Sequence, residues 1–110
     1  MREKDVEAKI VRIAKRLGCL CWKLVCPSFV GVPDRMVIAP NGKIGFIEVK
    51  APGKEPTKRQ IFIIKLLEKF NVPVIWTDDP EIAEVFINTL LEGLILLLSI
   101  TKSLLEFTFS

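Results

Sequence analysis

The side chains of this sequence whose types and spacing best suit hydrolytic chemistry are Asp34, Glu48 and Lys50. Two carboxylates offer hard oxygen ligands to a divalent cation such as Mg²⁺ or Mn²⁺. An ammonium two residues beyond the second carboxylate could orient a water or steady negative charge developing on a phosphate. The chain contains no histidine and no tyrosine, which excludes imidazole bases, His-bound zinc and tyrosyl intermediates. Chemistry must therefore rest on carboxylates and amines, with or without a metal ion. The same three residues could also form an ordinary salt-bridge cluster at a hairpin end, and spacing alone leaves both readings open.

A turn decides whether these residues meet. The segments DRMVIA (34–39) and KIGFIEVK (43–50) read as strands separated by PNG. A three-residue loop, built from a type I turn and a left-handed residue, wants Pro first and Gly third, which is the order Pro40, Asn41, Gly42. Paired residue numbers then sum to 82, so Asp34 faces Glu48. Directly opposed Cβ atoms lie ~5 Å apart, with Lys50 on the same face ~7 Å further along. A two-residue Asn41-Gly42 turn would pair numbers summing to 83 and point Asp34 away from Glu48. The backbone carbonyl of Val49 lies near the pair as a further oxygen ligand. Met36, Ile38, Ile44 and Phe46 continue the shared face and are expected to be core.

The flanking elements follow from periodicity. EKDVEAKIVRIAKRL (3–17) places Val6, Ile10, Ile13, Ala14 and Leu17 at helical spacing, with Gly18 as the stop. Lys9, Arg12, Lys15 and Arg16 occupy the other face. At ~100° per residue, Glu7 falls between Ala14 and Val11 on the flank of the apolar stripe. Glu3 projects the same way from the first turn, where it can fray or serve the helix dipole. A carboxylate turned toward a core needs a partner, so Glu7 is a candidate for the site or for a structural ion pair.

CLCWKLVC (19–26) reads as a strand. Its three cysteines lack a fourth ligand, and small buried hydrophobes explain them better than zinc does. PSFVGVP (27–33) and the basic APGKEP (51–56) are loops. Thr57 begins a helix to about Phe70, and Thr57 with Gln60 has the spacing of a capping box. VPVIWT (72–77) is a strand reached by a helical crossover and so parallel to 44–50. Asp79 caps, and Pro80 opens, a helix to about Leu91.

The pattern is that of one α/β domain over residues 1–90, followed by an apolar extension over 91–110. The run Leu94–Leu98 is far short of the ~20 residues a membrane helix needs. The extension is expected to pack on the body or on a second subunit.

Composition points to a polyanionic partner. Residues 1–69 carry 15 Lys/Arg against 7 Asp/Glu, while 70–110 carry 1 against 6, so the +3 net charge hides a strong asymmetry. That is the electrostatic footprint of nucleic acid, or else a solvated surface that is lopsided. Charges run through residues 1–17 where a secretory signal would be apolar, which suggests a reducing, cytoplasmic setting.

Pro33-Asp34, followed after a hairpin by Glu48-Val49-Lys50, resembles the PD-(D/E)xK nuclease signature. The fuller frame is Glu7, GVPDR (31–35), EVKAPGK (48–54) and Gln60, and it is similar to the VRR-NUC family of replication and repair nucleases. The resemblance covers about residues 3–88 and implies a restriction-endonuclease-like α/β core: an N-terminal helix, then a mixed sheet of about four strands flanked by helices.

It further implies metal binding by Asp34, Glu48, the Val49 carbonyl and Glu7, a catalytic Lys50, and a place in the site for Glu7 and Gln60. Lys54, Lys58 and Arg59 fall where substrate phosphates would run. Arg35 should point away from Asp34. The implied activity is Mg²⁺- or Mn²⁺-dependent DNA endonuclease action on branched, flapped or Holliday-junction DNA, by a two-fold homodimer inside a bacterial cell or phage-infected host. The competing expectation is a catalytically silent nucleic-acid-binding or scaffolding module.

Overall fold

The computed structural model describes the backbone of residues 1–109 and the side chains of residues 1–92 and 102–105. Its elements run α1 (Glu3–Arg16), β1 (Leu20–Lys23), β2 (Arg35–Ile38), β3 (Ile44–Val49), α2 (Lys58–Lys69), β4 (Val74–Thr77) and α3 (Pro80–Phe109). The sheet order is β1-β2-β3-β4. The first two pairings are antiparallel, and β3–β4 is parallel because α2 carries the chain back across the sheet.

α1 buries Val6, Ile10 and Ala14, the four-residue repeat that keeps one stripe inward. It closes in a Schellman motif: Gly18 sits at φ 80°, its N–H donates to Lys15 O at 3.0 Å, and the Cys19 N–H donates to Ala14 O at 2.9 Å. α2 ends the same way with Asn71 at φ 62°. The three cysteines are free: Cys19 buried, Cys21 half-buried and Cys26 exposed.

The β2–β3 turn has the expected chemistry. Gly42 is left-handed at φ 86°, its N–H reaches Ala39 O at 2.9 Å, and the Ala39 N–H reaches Lys43 O at 2.9 Å. The register that results pairs Arg35 with Ile47, Met36 with Phe46 and Ile38 with Ile44, the alignment that the Pro-Asn-Gly order dictates.

The principal core lies on the other face of this hairpin from the one expected. Val37, Ala39, Ile47 and Val49 pack with Val6, Ile10 and Ala14 of α1 and with Ala83, Ile87 and Leu90 of α3. Met36, Ile38 and Phe46 are only half-buried and Ile44 is exposed. Both faces of the hairpin are apolar, so alternation cannot say which one receives two helices. α2 covers the second face, setting Ile63, Leu66 and Leu67 near Met36 and Phe46, and it leaves Leu20 and Trp22 of β1 exposed.

α3 approaches β3 closely at Gly45, where an added Cβ would lie 2.8 Å from Phe86 Cζ and 3.0 Å from Leu90 Cδ1. Glycine is the residue that permits this approach.

α3 does not end near Leu91 but runs on to Phe109. Gly93 frames the apolar run in the sequence, yet a glycine ends a helix only when it turns left-handed; otherwise it costs about 1 kcal/mol and the helix continues. The packing of the apolar run 94–98 lies outside the described residues. Among the described residues, no helix is long and apolar enough to cross a membrane.

Candidate active site

Asp34 stands one residue before β2, immediately after the fully buried Pro33. Its carbonyl extends the β1–β2 ladder by accepting from the Leu24 N–H at 2.8 Å. Its carboxylate Oδ2 accepts from the Val49 N–H at 2.8 Å. An aspartate side chain thus stands in for a ladder partner at the end of β3, and this fixes its carboxylate beside Glu48. In an extended strand the N–H and C=O of one residue lie on the same edge, so the Val49 carbonyl also faces the Asp34 side.

Glu48 lies on β3, between β2 and β4, with Trp76 as its parallel neighbour. It is 2% exposed. Oε1 accepts from Gln60 Nε2 at 3.2 Å, while Oε2 is buried with no hydrogen-bond partner. While Glu48 is ionised such an orphaned acceptor costs about 1–3 kcal/mol; a proton shared with the Asp34 carboxylate, or a cation between the two, relieves it. Burial, first of all, and then the contact and charge of Asp34 push the Glu48 carboxyl from 4.5 up to about 9; Lys50 opposes the rise and Glu3 adds to it. Lys50 follows β3 directly and extends the β3–β4 ladder by donating its N–H to Thr77 O at 3.0 Å. Strand alternation puts its side chain on the face of Glu48.

Gln60 occupies the third position of α2 and acts in two directions. Its Oε1 accepts from the Thr57 N–H at 2.9 Å, its own N–H donates to Thr57 Oγ1 at 3.1 Å, and its Nε2 is left for Glu48. The capping box and the contact to the acidic pair use opposite ends of one amide.

Of the two readings left open for Glu7, the structure shows the ion pair. Its carboxylate pairs with Arg35 Nε at 2.7 Å, on the sheet face opposite Asp34, because Arg35 shares its face with Ile47 and the α1 side of the core. Arg35 points away from Asp34, as strand alternation requires. The α1 carboxylate whose charge acts on Glu48 is Glu3, at the first turn. The sequence places Glu3 on the same helix flank, where fraying or the dipole would also account for it; its four-residue spacing from Glu7 is the signal that could have assigned it to the site.

Among the phosphate-contact candidates, Lys54, Lys58 and Arg59 are all exposed. The loop bearing Lys54 is anchored by the Gly53 N–H on Asp78 Oδ2 at 2.8 Å. Arg59 also serves the structure, since its Nε donates to Val30 O at 3.0 Å, and its guanidinium lies 5.0 Å from the Phe29 ring centre and 5.4 Å from that of Phe62.

Among the described residues, no three Cys, Asp or Glu side chains converge as a ready-made ligand set. What converges is two carboxylates and one carbonyl, with one carboxylate oxygen buried and unsatisfied. That donor set fits a hard divalent cation whose remaining positions go to water and phosphate oxygens.

No family model matches the chain. It is similar to "Putative nuclease p44" of Acyrthosiphon pisum secondary endosymbiont phage 1, at 46% identity over 61 residues, which is 56% of this chain and 66% of that protein, just under two thirds of its length. A solved structure described as a VRR_NUC domain matches with a TM-score of 0.71 and 26% identity, over 78% of this chain and 94% of that one. With the Pro-Asp…Glu-Val-Lys frame set on the mixed sheet, these likenesses support a VRR-NUC nuclease.

Proposed function

We propose that this chain is a metal-dependent DNA endonuclease that hydrolyses phosphodiester bonds. The observation that carries the reading is the buried, partnerless Glu48 Oε2 beside the Asp34 carboxylate. An arrangement this unfavourable by itself is what a cation site requires. The nuclease name of the phage relative and the VRR-NUC likeness support the same conclusion.

Asp34, Glu48 and the Val49 carbonyl would hold Mg²⁺ or Mn²⁺, which when bound supplies a Lewis acid and an acidified water. Gln60 orients Glu48 through Oε1, leaving Oε2 for the ligand role. Lys50 places an ammonium on the same face, where it steadies negative charge on the scissile phosphate. Lys54 and Lys58 hold the strand by its backbone without reading sequence. Selectivity for branched, flapped or junction DNA, action as a homodimer and a cytoplasmic setting are carried from the family resemblance.

The deciding experiment is a cleavage panel of single-stranded, flap, junction and duplex DNA, with Mg²⁺ or Mn²⁺, run beside Lys50→Ala and Asp34→Asn. Cleavage by the wild type alone is expected. Equal product from wild type and Lys50→Ala would overturn the reading.

A further inference from the structure

We propose that Phe29 and Phe62, whose rings both lie against the Arg59 guanidinium, form a stacking platform for unpaired bases of the DNA strand that enters the site, so that this chain recognises single-stranded segments rather than continuous duplex. The inference rests on the nucleic-acid reading of the site and adds to it a substrate feature and the residues that detect it.

The platform is built rather than incidental. Phe29 is 44% exposed and Phe62 is 55% exposed, although both rings flank the same guanidinium. Two aromatic rings held half in water beside a cation are costly to leave uncovered. Arg59 pairs with no carboxylate among the described residues, so its charge is available to a phosphate. Its Nε bond to the Val30 carbonyl ties the 27–33 loop to α2. The fit is tight enough that a Cβ on Gly31, left-handed at φ 94°, would meet Arg59 Cγ at 2.9 Å and Ile63 Cγ1 at 3.2 Å. A loop held this closely presents its ring without first having to be ordered.

Position supplies the link to the chemistry. The loop that carries Phe29 runs straight into Pro33 and Asp34, and Arg59 is the residue before Gln60, which touches Glu48. Phe62 lies almost one helical turn further on. Bases stacked there belong to nucleotides a short way along the strand from the reacting phosphate, with Lys54 and Lys58 exposed nearby in sequence to follow the backbone. A paired base inside a duplex already has neighbours on both faces and cannot stack on a side chain; only the terminal pairs of a duplex leave a face open. An unpaired base can, whatever its identity.

The test is equilibrium binding in chelator, which reads affinity without cleavage, using labelled single-stranded, flap and blunt duplex DNA. Phe62→Leu keeps apolar bulk at an exposed site but removes the ring, and Phe62→Trp keeps a ring; Phe29→Leu is the second, independent variant. Single-strand and flap affinities are expected to fall roughly 5- to 100-fold in each Leu variant, with duplex affinity changed less than about twofold and Phe62→Trp near wild type. An equal loss on duplex, no loss on single strands, or a wild type that binds no single strand would overturn the proposal. Ring-dependent binding with no cleavage of any substrate would overturn the hydrolytic reading instead and leave this one standing.

Discussion

Gln60 hydrogen-bonds Glu48 at 3.2 Å with the same side chain that caps α2 through Thr57. The start of the helix and the acidic pair are therefore one structural unit. Removing the amide acts on both: loss of a capping interaction costs about 0.5–2 kcal/mol, and a domain of this size loses roughly 4–8 °C of Tm per kcal/mol. Gln60→Ala is expected to melt several degrees lower and to lose cleavage. Gln60→Glu keeps an acceptor for the Thr57 N–H but sets a third carboxylate against Glu48, so it should recover part of the melting temperature and none of the activity. Thermal melts run beside the cleavage assay separate the two roles; full activity in Gln60→Ala would show that the contact to Glu48 is only structural.

The raised Glu48 carboxyl makes a pH prediction for the metal-free protein. The folded state holds the proton up to about 9, whereas the unfolded chain releases it near 4.5. Between those values the native state binds more protons than the unfolded one, so stability falls as pH rises. Asp5 is shifted in the opposite sense, but at an already acidic pKa below this window, and the raised thiols of Cys19 and Cys21 titrate above it. Urea melts in chelator at pH 5, 7 and 8.5, all inside the window, should show a steady loss for wild type and a much flatter profile for Glu48→Gln. Identical slopes in the two proteins would remove Glu48 as the cause.

The two α1 carboxylates should separate by phenotype. Glu7 forms an ion pair with Arg35 in which both side chains are 18% exposed, and leaving one such group unpaired costs roughly 1–3 kcal/mol. Glu7→Gln should therefore lower the denaturant midpoint while cleavage by the folded protein is kept. Glu3 is exposed and bears on Glu48 only through its charge, so Glu3→Gln should melt like wild type and change the activity. The opposite pattern would return Glu7 to the site.

Which features the sequence disclosed follows from how local each one is. The Asp34–Glu48 register was legible because Pro40-Asn41-Gly42 fixes it by turn chemistry over three residues, and the capping box of Thr57 and Gln60 is equally local. The core face was not legible, since Val37, Ala39, Ile47 and Val49 alternate with Met36, Ile38, Ile44 and Phe46, two apolar sets that a strand pattern cannot rank. Only the placement of α1 and α3 together on one side ranks them. The same placement explains Glu7: helical periodicity set it on the flank of the stripe, but its partner is decided by which sheet face α1 covers, and that face carries Arg35. The length of α3 depended on whether Gly93 would turn left-handed, a choice that residue type leaves open.

Packing at Gly45 gives a prediction independent of the chemistry. Gly45→Ala drives a Cβ to within 2.8 Å of Phe86 and 3.0 Å of Leu90, and overpacking of this kind costs about 1–3 kcal/mol. Because the two shortest contacts are with the tip of the Phe86 ring, Gly45→Ala with Phe86→Leu should recover much of the loss, the Leu90 contact accounting for the rest. Additive effects in the double variant, read from urea melts, would place the strain in the β3 backbone.

A divalent cation should stabilise the folded chain, because a ligand that binds the native state alone raises its stability by mass action, about 2.7 kcal/mol at a hundredfold excess over Kd. The gain should be larger at pH 8 than at pH 5, since binding must displace the proton that Glu48 holds up to about 9. Asp34→Asn leaves Asn Oδ1 able to accept the Val49 N–H but removes one negative ligand, so its melting temperature should respond weakly to Mg²⁺ or Mn²⁺. Glu7→Gln, whose residue stands on the far face with Arg35, should respond like wild type. A cation-dependent shift of equal size in wild type and Asp34→Asn would mean that the ion binds elsewhere on the surface, and the unsatisfied Glu48 oxygen would then need another partner.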